Sequence, residues 1–110
     1  MPPKDRHLNA LLGRGANYEG QLSFEGRVRV DGSFRGEIYT DECLEVGESG
    51  TVIGEVDAHS LTVAGRVEGK IKVRELLIVE STGCIQGEVD AAKMITREGA
   101  TLRATILVGQ

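Results

Sequence analysis

The sequence predicts an all-β fold, a single-stranded parallel β-helix that winds into a triangular solenoid of about six coils of 16–17 residues. Two observations predict it. Residues 28–60 align with residues 61–93 without an insertion, and 13 of the 33 aligned positions are identical. Within each repeat apolar and polar residues alternate and glycine recurs at fixed places, which is typical of short strands stacked as turns of a solenoid.

Each coil repeats one pattern. An apolar-x-apolar pair is followed by a turn, then by the five-residue motif apolar-x-Gly-x-apolar, and then by a second turn. The first complete example runs from Val28 to Ile38. Later coils begin at residues 44, 61, 77 and 94, so their lengths alternate between 16 and 17. The copy at residues 18–22 is incomplete, and the copy at residues 94–106 is altered, because Ala104 replaces the glycine.

Stacking the coils about 4.8 Å apart aligns their apolar residues into three inward columns. The columns are Tyr18, Phe34, Val52, Val67, Ile85, Leu102; Leu22, Ile38, Val56, Ile71, Val89, Ile106; and Val28, Leu44, Leu61, Leu77, Met94. An outward column stacks Glu37, Glu55, Lys70 and Glu88, which we interpret as a solvated charge ladder.

Glycine has two predicted roles. A column of glycines (Gly20, Gly36, Gly54, Gly69 and Gly87, continued by Ala104) is expected to face an interior too narrow for a side chain. A second set (Gly32, Gly50, Gly65 and Gly83) lies in turns, where we expect positive φ angles.

The composition argues against several functions. With a net charge of −4 and no large basic patch, the chain is not expected to bind nucleic acid. No Gly-Lys-Ser/Thr occurs for a nucleotide, the two cysteines match no metal-ligand spacing, and His7 and His59 are too few for a three-histidine zinc site. The sequence therefore predicts no catalytic residue, no cofactor and no metal.

The ends of the stack carry the predicted function. A stacked coil leaves unpaired backbone groups on its first and last strands, and here those strands are apolar and lack polar caps. We therefore predict that the chain self-assembles end to end. The candidate contact residues are Leu102, Ala104, Ile106 and Val108 at the C-terminal end, and Tyr18, Leu22, Phe24, Val28 and Val30 at the N-terminal end.

Residues 13–108 resemble the bactofilins, a family of bacterial polymer-forming cytoskeletal proteins. The resemblance lies in the order and spacing of several motifs. They are Leu-Leu-Gly-Arg-Gly (11–15), Tyr-Glu-Gly-Gln-Leu-Ser-Phe-Glu-Gly (18–26), Val-Arg-Val-Asp-Gly-Ser-Phe-Arg-Gly-Glu-Ile (28–38), Leu-Glu-Val-Gly-Glu-Ser-Gly-Thr-Val-Ile-Gly-Glu-Val (44–56) and Arg-Glu-Gly-Ala-Thr-Leu-Arg-Ala (97–104).

The resemblance implies a right-handed β-helix that forms non-polar filaments without a nucleotide. It also implies a cytoplasmic scaffold for cell-shape, cell-wall or chromosome-organising proteins, whose identities the sequence does not give. Bactofilins often carry a short N-terminal membrane-targeting segment, so Leu8, Leu11 and Leu12 are candidates for docking to the membrane or a partner. We accordingly divide the chain into a flexible segment (1–13), a polymerisation domain (14–108) and a C-terminal end (109–110).

One alternative is a left-handed β-helix of the hexapeptide acyltransferase kind. A six-residue step runs through Leu61, Val67, Val73, Val79, Ile85 and Ala91. The step fails upstream at Glu55 and downstream at Arg97, and the short turns also interrupt it. This alternative therefore accounts for less of the chain than the coils of 16–17 residues.

Overall fold

The computed structural model describes residues 10–109, which form nine strands and no helix in that range. Consequently, this range contains no helix that is long and apolar enough to cross a membrane. The strands are β1 (Ala10–Leu12), β2 (Asn17–Phe24), β3 (Val28–Val30), β4 (Ser33–Thr40), β5 (Cys43–Val46), β6 (Thr51–Val63), β7 (Arg66–Val79), β8 (Cys84–Thr96) and β9 (Thr101–Val108).

Every strand pairing is parallel, and each turn of the chain lies on the turn before it. We call the three sides of a turn A, B and C, which in β7 are residues 66–68, 70–73 and 76–79. Sides A and B stack as six rungs (β2, β4, β6, β7, β8, β9), numbered 1 to 6 in that order. The predicted solenoid of about six turns is confirmed.

The inward columns form one continuous core. The register joins Phe34, Val52, Val67 and Ile85 in one column and Leu44, Leu61, Leu77 and Met94 in another, as predicted. In the middle rungs these side chains are almost completely buried; Val52, Val67 and Leu77 are 0 % exposed. Burial of one apolar face on every side is therefore what holds the turns together.

The two sets of glycines depart from their predicted roles. The column from Gly20 to Gly87 is not buried; it lies at the corner between sides A and B, where φ ranges from 119° to 135°. The turn glycines Gly32, Gly50, Gly65 and Gly83 are instead buried and have no positive φ. A Cβ atom at these turns would collide with a backbone carbonyl oxygen of the preceding turn. The corner glycines thus bend the chain, and from Gly36 to Gly87 they also leave no room for a Cβ atom against the preceding rung, whereas the turn glycines serve close stacking alone.

The N-terminal boundary of the folded domain also needs correction. We expected residues 1–13 to be flexible, but Ala10–Leu12 form β1, whose register on β3 pairs Leu12 with Val30. The sequence signal is the apolar pair Ala10-x-Leu12, which matches Val28-x-Val30 one turn later. The described fold therefore begins by residue 10; residues 1–9 lie outside the described range.

Candidate functional site

The C-terminal end of the solenoid is formed by β9 on sides A and B and by residues 93–96 of β8 on side C. Among residues 10–109, β9 pairs only with β8, and residues 93–96 pair only with β7. The outer edge of each segment therefore presents backbone N–H and C=O groups to solvent. An exposed edge of this kind is a template for pairing with another chain.

The inward side chains of this end are less well covered than those of the middle. Leu102, Ala104 and Ile106 are half-buried, whereas Ile85 and Val89 directly beneath Leu102 and Ile106 are 0 % and 2 % exposed. Val108 is 45 % exposed. The four C-terminal candidates thus form one partly uncovered apolar cross-section. Two further exposed residues, Ile95 and Leu107, lie on the outward faces beside it and were missed by the sequence analysis.

The N-terminal end has the same organisation. β2 covers sides A and B and pairs only with β4, while β1 covers side C and pairs only with β3, among the described residues. Tyr18, Leu22 and Phe24 point inward on β2 and are half-buried. These three predicted contact residues therefore lie at the open end of the core.

Two predicted N-terminal contact residues are misplaced. Val28 and Val30 are 0 % exposed, because they belong to the second turn of side C and β1 lies over them. Assigning them to an end contact was wrong, because no residue that the protomer itself covers can form the joint. The error followed from placing residues 10–12 outside the fold.

The structure buries one of the candidate docking residues and exposes another. Leu12 is 8 % exposed and belongs to the core, so its assignment to docking was wrong. Leu11 points outward and is 56 % exposed, as docking would require. Leu8 lies outside the described residues.

The two ends differ in backbone shape. At the N-terminal end Gly20 takes a φ of 128°, like the corner glycines of the four rungs that follow. At the C-terminal end Ala104 occupies the same corner without a positive φ, so β9 takes the corner with a different backbone conformation. The last rung is therefore not a copy of the rungs beneath it.

The ends offer hydrogen-bonding edges and apolar surface rather than reactive groups. The charges on the end segments are few: Glu19 on β2 at one end, and Arg103 on β9 and Lys93 on β8 at the other. Within residues 10–109 no group of three His, Cys, Asp or Glu side chains is arranged to hold a metal ion. This arrangement can bind another edge strand with an apolar face.

Comparison with known proteins finds a matching family and similar solved structures. The family model of the bactofilins, polymer-forming cytoskeletal proteins, matches residues 10–106. No curated protein sequence gives a significant match.

Two solved structures of the bactofilin from Thermus thermophilus are similar to this fold. Its double helical filaments, reconstructed by cryo-electron microscopy, give a TM-score of 0.87 at 28 % identity, covering 91 % of this chain and 99 % of that chain. A crystal structure of a phenylalanine-to-arginine mutant gives a TM-score of 0.77 at 28 % identity, covering 83 % of this chain and 100 % of that chain. None of these matches supports the acyltransferase alternative.

Proposed function

The chain belongs to the bactofilin family of polymer-forming cytoskeletal proteins, and we propose that it builds filaments by stacking the ends of its solenoid without a nucleotide. As a bactofilin it is a cytoskeletal scaffold protein. The observation that supports the joint is the unpaired, half-covered rung at each end of an otherwise closed core. The joint residues are Leu102, Ala104, Ile106 and Val108 at one end, and Tyr18, Leu22 and Phe24 at the other.

Stacking two ends stabilises the joint in two ways. The edge strands exchange solvent for backbone hydrogen bonds, and the half-buried apolar side chains lose their remaining contact with water. Completing the burial of a half-covered Leu or Ile contributes about 1 kcal/mol. Several such residues at each end supply the driving force, and the edge hydrogen bonds fix the register.

We propose that the joints are non-polar, with C-terminal ends meeting C-terminal ends and N-terminal ends meeting N-terminal ends. A two-fold joint requires each end to be complementary only to a rotated copy of itself. A head-to-tail joint would instead stack the Gly20 rung, bent at a φ of 128°, on the Ala104 rung, which lacks that bend. This difference in backbone shape supports the two-fold arrangement.

Blocking one end at a time tests the joints and their polarity. Leu102→Arg and Leu22→Arg each place a charge on one end, where stacking would bury it unpaired. In non-polar filaments each variant keeps one working joint, so light scattering coupled to size exclusion should report dimers for each variant and no new species on mixing. Thermal unfolding and circular dichroism check that both variants are folded.

Other outcomes would contradict parts of this proposal. Monomeric variants that form a heterodimer on mixing would indicate head-to-tail stacking. Long filaments of Leu102→Arg would mean that the C-terminal joint is assigned wrongly. Ile53→Arg is the matched control, because it makes the same change at an outward position of a middle rung, and it should still form filaments.

The filament would act as a non-enzymatic scaffold that positions proteins of cell shape, the cell wall or chromosome organisation in the cytoplasm. We place its docking segment at the N-terminus, where Leu11 is exposed and Leu8 precedes it. Peripheral contact with the inner face of the membrane would pass through this segment. Vesicle co-sedimentation of the wild type and of a Leu8→Glu/Leu11→Glu variant tests this role, since equal binding would exclude it.

A further inference from the structure

Charges on the outward surface of side B are arranged in stripes. Each rung presents two outward side chains there, and the pairs change sign along the solenoid axis. From rung 1 to rung 6 they are Gln21 and Ser23, Glu37 and Tyr39, Glu55 and Asp57, Lys70 and Lys72, Glu88 and Asp90, and Thr105 and Leu107. We call this the striped surface. One band of two lysines thus lies between two bands of two carboxylates.

The charges of this surface are not matched to one another within the protomer. Lys70 lies between Glu55 and Glu88 in its column, yet neither lysine of the band forms an ion pair among residues 10–109. In the two acidic bands, the one ion pair in that range joins Asp57 to Arg74 at 3.7 Å. The remaining charges face solvent.

Side C differs in this respect. Its outward Arg29 contacts both Asp31 at 3.0 Å and Glu45 at 3.5 Å, so these three charges are paired within the chain. The striped surface also carries a trough of about 690 Å³ between its two rows of outward side chains, running from rung 1 to rung 6. It therefore combines an open concave shape with unpaired charges of both signs.

We propose that the striped surface pairs with the striped surface of a second copy in a neighbouring filament, so that filaments associate sideways. This inference rests on the proposed polymerisation. The two copies run antiparallel about a two-fold axis at the level between rungs 4 and 5. Rotation about this axis keeps each row of side chains opposite the same row of the other copy, so the two troughs face each other.

Charge complementarity selects this arrangement. With the axis between rungs 4 and 5, the lysines of each copy face Glu88 and Asp90 of the other, and the carboxylates of rung 3 face the neutral rung 6. Moving the axis between rungs 3 and 4 would bring Glu37 against Glu88 and Asp90. A parallel arrangement in register would place each band against its own sign. Like charges across an interface disfavour those alternatives.

The area of contact explains why this surface would act in filaments and not between protomers. In the proposed register rungs 3 to 6 of the two copies face each other, and four rungs at about 4.8 Å give a strip about 19 Å long. A strip of that length and one sheet side in width is far smaller than the roughly 800 Å² per partner of a stable interface. In a filament whose protomers alternate in direction, the same weak contact recurs at every second protomer, so many contacts act together.

Charge reversal tests the proposal on preformed filaments viewed by electron microscopy at low salt. Lys70→Glu/Lys72→Glu should give filaments of unchanged length that no longer pair, because two acidic bands then meet. Glu88→Lys/Asp90→Lys should also give single filaments. Mixing the two preformed variants should restore pairs, since each then faces the opposite charge. Wild-type pairs should separate as added salt screens the contact.

The controls separate this inference from the polymerisation on which it rests. Arg35→Glu/Arg66→Glu makes the same change in net charge on side A and should leave the pairs intact. Single wild-type filaments at low salt, or paired Lys70→Glu/Lys72→Glu filaments, would overturn the lateral contact and leave polymerisation standing. Loss of filaments in Lys70→Glu/Lys72→Glu alone would place the surface in the end joint and also overturn the inference. A wild type that forms no filaments would overturn the proposed function.

Discussion

The middle rungs and the end rungs of this solenoid carry the same kinds of side chains in the same columns, but in different surroundings. Val67 in rung 4 is 0 % exposed, whereas Leu102, two rungs further in the same column, is half-buried. The middle rung has a neighbour on both sides and the end rung has one. Burial of an inward residue therefore depends on its neighbours along the axis as much as on its own chemistry.

This difference shows how one repeat serves both folding and assembly. An apolar column stabilises the protomer in the middle of the stack and forms a binding surface at the end of the stack. In both places the interaction is the burial of inward apolar side chains by a neighbouring rung. Solenoids that remain monomeric cover their terminal repeats with polar caps. The described part of this chain, from residue 10 to residue 109, carries no such cap at either end.

Alanine at a corner glycine gives the largest expected contrast between middle and end. Gly54 and Gly20 have nearly the same φ, 133° and 128°, so Ala is strained at both positions. At Gly54 the new Cβ would also collide with the carbonyl oxygen of Gly36, whereas at Gly20 it would meet nothing within 4 Å. We expect Gly54→Ala to lower the free energy of unfolding by more than about 3 kcal/mol and Gly20→Ala by about 1–2 kcal/mol.

Chemical denaturation monitored by circular dichroism measures both values. Both variants must be compared under conditions that keep the chain monomeric, for example in the Leu102→Arg/Leu22→Arg background. Equal losses would show that backbone strain alone, and not the contact with the preceding rung, makes glycine necessary in the middle of the stack.

The inward columns could be predicted from the sequence because period-two alternation and the repeat act together. The repeat gives the spacing between turns, and the alternation gives the face, so Leu44, Leu61 and Leu77 could be placed in one column from the sequence. The same reasoning located the open ends near Leu22 and Leu102. These features depend on local pattern alone.

The errors arose where the structure depends on backbone geometry or on an element too short to show a repeat. Both glycine sets were recognised, but spacing does not tell which of them bends the chain. β1 has only three residues, so its apolar pair was not recognised as part of the repeat. Leu12, which lies in β1, was therefore assigned to docking. Val28 and Val30, which β1 covers, were assigned to the end contact. The exposed Leu107 and Ile95 were missed because the apolar pattern marks inward positions and does not identify an apolar residue at an outward one.

Truncating one leucine in each region sharpens the comparison at an intermediate magnitude. Leu77→Ala removes a side chain that is 0 % exposed and leaves a cavity, which should cost about 2–5 kcal/mol of protomer stability. Leu102→Ala should cost about 1 kcal/mol in the monomer, because Leu102 is already half-exposed. In filaments the order reverses, and Leu102→Ala should raise the critical concentration for assembly.

Denaturation of monomers and sedimentation of filaments measure the two effects separately. The comparison fails if Leu102→Ala destabilises the monomer as much as Leu77→Ala does. It also fails if Leu77→Ala raises the critical concentration more than Leu102→Ala while remaining folded.

The smallest expected effect concerns Arg103, the charge on the last strand. Glu19 and Arg103 belong to one outward column, so a head-to-tail joint would stack Arg103 of one copy on Glu19 of the next. A joint between two C-terminal ends would bring two arginines to the same joint instead. Removing like charges from an exposed joint is worth about 0.5 kcal/mol, or about a twofold change in an equilibrium constant.

Arg103→Ala should therefore lower the critical concentration for assembly about twofold at low salt if C-terminal ends meet each other, and the difference should fade as salt is added. In head-to-tail filaments the same variant would lose an attraction and assemble less readily. Arg35→Ala, in the same column but in rung 2, is the control and should change assembly in neither direction. Sedimentation of filaments over a range of protein concentrations measures the critical concentration of both variants. The direction in which Arg103→Ala shifts the critical concentration, more than the size of the shift, reports which ends meet.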